Sequence, residues 1–164
     1  MNTKSKAKPK TFKEAIKKTP SLDGAYREGL QALRKQDAKH IDAEDTRALR
    51  GSIDVDAANL AAEPQANRWD FGIAYQHTNR KEEVIYWVET HTASDSEVGR
   101  VLKKAAWLQT WFKGKGKHFV HFEKDILWVS SGSTSFTLSA PQRKQMAQLG
   151  LRSAGGNLRI RNNR

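Results

Sequence analysis

The chain has no cysteine, which excludes a disulfide framework, a thiolate nucleophile and a Cys-based zinc centre. Any metal must take oxygen or imidazole ligands. Long apolar runs are missing as well: nowhere do about 18 apolar residues follow one another, as a membrane-spanning helix requires. The opening MNTKSKAKPK is charged without the apolar stretch of a secretion signal, so a cytoplasmic protein is expected. Several catalytic signatures are absent too. There is no G-x-S-x-G, H-E-x-x-H or dinucleotide fingerprint, and the Lys113-Gly114-Lys115-Gly116-Lys117 turn lacks the context and the Lys-Ser/Thr ending of a phosphate-binding loop.

Hydrophobic residues make up 37% of 164 residues, enough for one core but not two. Acidic residues are the minority, and the formal net charge is +11. The excess sits at the ends. Residues 1–19 carry a net +6 and residues 150–164 a net +4, which leaves +1 for residues 20–149. The expected organisation is therefore a flexible basic N-terminal arm (1–19), an α/β domain (20–150) and a basic C-terminal tail or short strand (151–164). Such ends attract phosphates without regard to sequence, and otherwise serve as solubilising tails.

Periodicity divides the domain. Tyr26, Leu30 and Leu33 recur at helical spacing and predict a helix from Ser21 to about His40. After Gly51 the pattern alternates, predicting strands over 52–57, 69–75 and 83–90. Trp69, Phe71, Ile73 and Tyr75 share one face of the second, opposite Asp70, Gly72 and Ala74. Ser94 or Ser96 then caps a helix whose stripe is Val98, Val101, Leu102, Ala105, Leu108 and Phe112. Further strands are expected over 119–122 and 126–130, then a return through Phe136 and Leu138 and a short helix from Pro141 to Leu149. The fold class is thus α/β, a single domain with a mixed central sheet flanked by helices.

This order places Glu89 and His91 two residues apart on one face at the end of the third strand. Asp70 lies on the neighbouring strand, where Gly72 and Ala74 leave room for a ligand, metal or helix. Two carboxylates and an imidazole suit Mg²⁺ or Mn²⁺, which activate water and neutralise charge on a phosphate. Asp54 and Asp56 alternate with apolar residues as a half-exposed strand does by default. Trp87, Trp107, Trp111 and Trp128 read first as core, with Trp107 and Trp111 off the main stripe. His118 and His121, three apart on an expected strand, face opposite sides and make poor joint ligands.

Over residues 21–130 the pattern resembles a divergent PD-(D/E)xK nuclease-like domain, of the restriction-endonuclease-like superfamily, whose core is αβββαβ. The resemblance implies that Asp70 and Glu89 hold the metal and that Glu89-Thr90-His91 stands where E-x-K is expected. His91 replaces the lysine, either binding metal or acting as a general base near pH 7. In some divergent members a lysine comes from elsewhere. Lys104 borders the apolar stripe of the following helix while Lys103 points away, so Lys104 is the candidate for contacting phosphate. Glu44 would correspond to the helix-borne acid that some members use. Two functions follow from the resemblance: a metal-dependent nuclease acting on DNA or RNA through Asp70, Glu89, His91 and Lys104, or an inactive nuclease-like fold that binds nucleic acid or a protein.

Overall fold

The computed structural model describes residues 7–132 and 137–164. In chain order the elements are helices α1 (Phe12–Lys17) and α2 (Lys35–Ala38), strands β1 (Ile41–Ala43) and β2 (Leu49–Asp54), and helix α3 (Val55–Asn59). Strands β3 (Phe71–Tyr75) and β4 (Val84–His91), helix α4 (Asp95–Lys113), strand β5 (Lys124–Ser130), helix α5 (Ala140–Leu149) and strands β6 (Leu151–Gly155) and β7 (Leu158–Ile160) complete them. Among the described residues no helix is long and apolar enough to cross a membrane.

Strand alternation builds the centre. The main sheet has the order β2-β3-β4-β5-β6, antiparallel from β2 to β4 and parallel from β4 to β6. A parallel neighbour needs a crossover, and α4 supplies it between β4 and β5. The central strand β4 is apolar on both faces: Val84, Tyr86 and Val88 join Phe71, Ile73 and Tyr75 on one, while Ile85 and Trp87 meet the α4 stripe on the other. A second, two-stranded parallel sheet pairs β1 with β7. The protein is therefore one α/β domain with a mixed sheet flanked by helices.

Four elements differ from the sequence expectation. The helix over 21–40 does not form, because Gly24 and Gly29 take positive φ values of 73° and 52°, and the chain between them bridges to β2 through Arg27 and Ser52. Only a 3-10 turn over Pro20–Leu22 and α2 are helical there. The strand over 52–57 starts earlier and stops at Asp54, whose carboxylate accepts from the Ala57 N–H at 2.8 Å and caps α3. Residues 117–119 form a 3-10 turn, not a strand, and place Phe119 and Phe122 in the core. The expected flexible arm over 1–19 gives way to a packed helix at residues 12–17: α1 buries Phe12, Ala15 and Ile16, and the Phe12 N–H donates to Glu83 Oε2 at 2.7 Å. Of the expected return through Phe136 and Leu138, Phe136 lies outside the described residues.

Residues 151–164 carry two strands, β6 at the edge of the main sheet and β7 beside β1. Beyond β7 Arg164 donates from both Nη atoms to Asp125, at 2.5 and 2.8 Å.

Candidate functional site

The register of β3 and β4 pairs Phe71 with Val88, so Asp70, one residue before β3, lies across from Glu89. Their contacts are reciprocal. The Asp70 N–H donates to Glu89 Oε2 at 3.1 Å, and the Thr90 N–H donates to Asp70 Oδ2 at 3.2 Å. Glu89 is fully buried on the face that carries Ile85 and Trp87, and this is the face α4 covers.

α4 brings the cation. Its apolar stripe seats Val101, Leu102, Ala105 and Leu108 in the core, and this orientation turns Lys104 toward the end of β4. Lys104 Nζ donates to Asp70 Oδ1 at 3.1 Å and also to Glu89 Oε1. Its side chain is only 15% exposed. Burial alone pulls the Lys104 ammonium down, but the two carboxylates outweigh burial and raise it. Burial, reinforced by the Asp70 charge, pushes the Glu89 carboxyl well above the usual range despite Lys104. The pair therefore favours the charged form of Lys104, while Glu89 takes up a proton more readily than an ordinary glutamate.

His91 stands beside the pair without closing it. Its Nε2 bonds Glu97 Oε2 at 2.6 Å, while Nδ1 lies 3.6 Å from Glu89 Oε1. That bond holds Glu97 below its ordinary range, and Arg100 approaches the same carboxylate oxygen at 3.6 Å. Among the described residues no group of three or more His, Cys, Asp and Glu side chains is placed to hold a metal ion.

No family model, curated protein or solved structure matches this chain.

Sequence reasoning missed Asp37. This buried residue of α2 accepts from Thr90 Oγ1 at 2.8 Å and pairs with Arg34 at 2.7 Å. The same hydroxyl lies 3.3 Å from Asp70 Oδ2, and its one proton serves one acceptor at a time. Thr90 therefore ties Asp37 to the Asp70 and Glu89 pair. Nothing in Arg34-Lys35-Gln36-Asp37 distinguishes this aspartate from a solvated one. Glu44, expected from the resemblance as a helix-borne acid, accepts from the Asn162 N–H at 2.7 Å.

Other expectations are corrected by packing. The space beside Gly72 belongs to Trp87, not to a ligand: a Cβ on Gly72 would lie 2.8 Å from Trp87 Cζ3. Trp87 in turn meets Phe112, Phe119 and Trp111 edge-on at 5.0, 5.4 and 5.7 Å. Trp111 is thus a core residue despite its place off the main stripe, and Trp107 stacks on it. Asp54 serves as a helix cap, and Asp56 pairs with Arg68 at 2.8 Å.

Proposed function

We propose that the protein is a metal-dependent nuclease-like phosphodiesterase of the PD-(D/E)xK kind, with its lysine supplied by α4. The observation that carries this reading is the convergence of Lys104 Nζ on Asp70 and Glu89 at the junction of β3, β4 and α4. The donor set fits a divalent cation. Two carboxylates already share one cation there, and Mg²⁺ is commonly held by one or two carboxylates with retained waters and substrate phosphate. His91 is not needed as a third ligand.

When bound, Mg²⁺ or Mn²⁺ would supply an activated water and neutralise charge developing on the phosphate. The chain's own residues do the rest. Asp70 and Glu89 would hold the cation, and the N–H groups of Thr90 and Asp70 fix the rotamers of the two carboxylates. Lys104, released from one carboxylate, donates to a phosphate oxygen. His91, oriented through Nε2 by Glu97, presents Nδ1 toward the site as a proton acceptor.

A second reading has its own support. Glu89 is 0% exposed, as expected of a polar latch that fastens β3, β4 and α4 in an inactive nuclease-like binding module. Labelled single- and double-stranded DNA and RNA, incubated with Mg²⁺ or Mn²⁺, separate the two. Cleavage that EDTA abolishes and that Asp70→Asn and Glu89→Gln both lose supports the enzyme. Cleavage that survives either substitution refutes it. No cleavage, together with no metal-dependent thermal shift that Asp70→Asn removes, supports the latch.

A further inference from the structure

Two basic stretches that are far apart in sequence meet beyond the end of α4. A cavity of about 780 Å³ opens there, and its lining includes Lys8, Lys18, Lys117, His118, Val120 and His121. The 3-10 turn accounts for part of this. His118 lies in the turn and His121 two residues past its end, and with no strand there to separate them both line one cavity. The walls are fastened together. His121 Nε2 donates to the Pro9 carbonyl at 2.7 Å, Lys18 Nζ donates to the Ala7 carbonyl at 2.6 Å, and Phe12 packs edge-on against Phe119 at 5.9 Å.

The electrostatics of this cavity are one-sided. No carboxylate occurs among the described residues that line it, and among the described residues neither Lys8 nor Lys117 has an ion-pair partner. The arginine-rich cleft at the other basic end differs, because Asp125 lies within it and pairs with Arg152 and Arg164. Val120, 49% exposed, adds an apolar spot at the lysine cavity.

We propose that the cavity is a backbone-binding site for nucleic acid, in which Lys8, Lys18 and Lys117 neutralise neighbouring phosphates and Val120 meets a sugar or base. The proposal rests on the nucleic-acid reading above and extends it to a second contact. About 14 Å of helix axis separates Lys104 from the end of α4, roughly four base steps at 3.4 Å each. A strand that engages both sites is therefore longer than a dinucleotide.

The test is fluorescence anisotropy with a fluorescein-labelled single-stranded oligonucleotide in EDTA, titrated with potassium chloride. Each phosphate contact on a single strand contributes about 0.7 to the slope of log K against log salt. The triple variant Lys8→Gln, Lys18→Gln, Lys117→Gln should lower that slope by about 2, and affinity at about 0.1 M salt by about 100-fold. The double variant Lys8→Gln, Lys117→Gln leaves the Lys18 bond intact and should lower the slope by about 1.4. It decides the matter if the triple variant unfolds. A control removing the same charge elsewhere, Lys35→Gln, Lys81→Gln, Lys144→Gln, should leave the slope unchanged.

Equal losses in both sets would overturn the proposal, as would polyglutamate displacing the oligonucleotide at equal charge concentration. Cleavage, assayed separately with metal, keeps the two readings apart. An active enzyme with an unchanged slope removes the cavity site alone, whereas an inactive protein with the expected slope loss removes the nuclease alone.

Discussion

Replacing Lys104 by methionine keeps an unbranched side chain one atom shorter but removes the only cation that contacts both Asp70 and Glu89 among the described residues. Breaking one side of a buried ion pair costs about 3–5 kcal/mol, because the remaining charge is left uncompensated. Proton uptake limits that loss. Glu89 already binds a proton more readily than an ordinary glutamate, since burial and Asp70 both favour its neutral form. At low pH, Lys104→Met therefore leaves a neutral Glu89 beside an Asp70 that still accepts from the Thr90 N–H. At high pH it leaves two facing carboxylates, and the full cost applies.

For a domain of this size 1 kcal/mol moves Tm by about 2–4 °C, so the full cost of about 3–5 kcal/mol corresponds to a loss of about 6–20 °C on the high-pH side of the Glu89 titration, and less on its low-pH side. Thermal unfolding of wild type, Lys104→Met, Glu89→Gln and the double variant gives the coupling energy. It should exceed about 1 kcal/mol at the higher pH, within the range for residues in contact. If the nuclease reading holds, Mg²⁺ at about 100 times its Kd should return about 2.7 kcal/mol to Lys104→Met. A variant as stable as wild type at high pH, or a coupling below about 0.5 kcal/mol, would refute the placement of Lys104 between the carboxylates.

Gly72→Ala should destabilise by about 1–3 kcal/mol through overpacking, because the new Cβ would meet the Trp87 ring at 2.8 and 3.1 Å; chemical denaturation measures this. Burial raises the Glu83 carboxyl above its ordinary value of 4.5, so the folded state holds a proton that the unfolded state has released. Stability should fall as pH rises from 4.5 through the raised value, and Glu83→Gln should flatten that slope while still accepting from the Phe12 N–H. If the nuclease reading holds, His91→Ala should reduce cleavage by about 100-fold, the lower end for loss of a positioned base. An unchanged rate would remove His91 from the chemistry.

How much of this was legible in the sequence depends on how local each signal is. β4 was readable because its two apolar faces alternate over eight residues, and α4 because its stripe continues through 19. The same alternation put Glu89 opposite Asp70. The loop over 21–34 misled because Tyr26, Leu30 and Leu33 keep helical spacing, whereas Gly24 and Gly29 take positive φ and let the chain bridge to β2. α1 looked like a disordered arm because its lysines face outward while three short-spaced apolar residues plug the core. Asp37 was invisible because its partner Thr90 lies 53 residues away.

The lysine question shows the same division. Choosing Lys104 over Lys103 needed only the helical wheel, since a residue on the border of the α4 stripe must approach whatever the stripe covers. That the covered strand should present Glu89 at that height follows from where β4 ends and α4 begins, which the three-residue connection at Thr92–Ser94 sets. His91 depended on a different contact. Two residues beyond Glu89, it reaches the first turn of α4, where Glu97 takes its Nε2. The imidazole at the expected lysine position therefore leaves the gap between the two carboxylates free for the ammonium group from the helix.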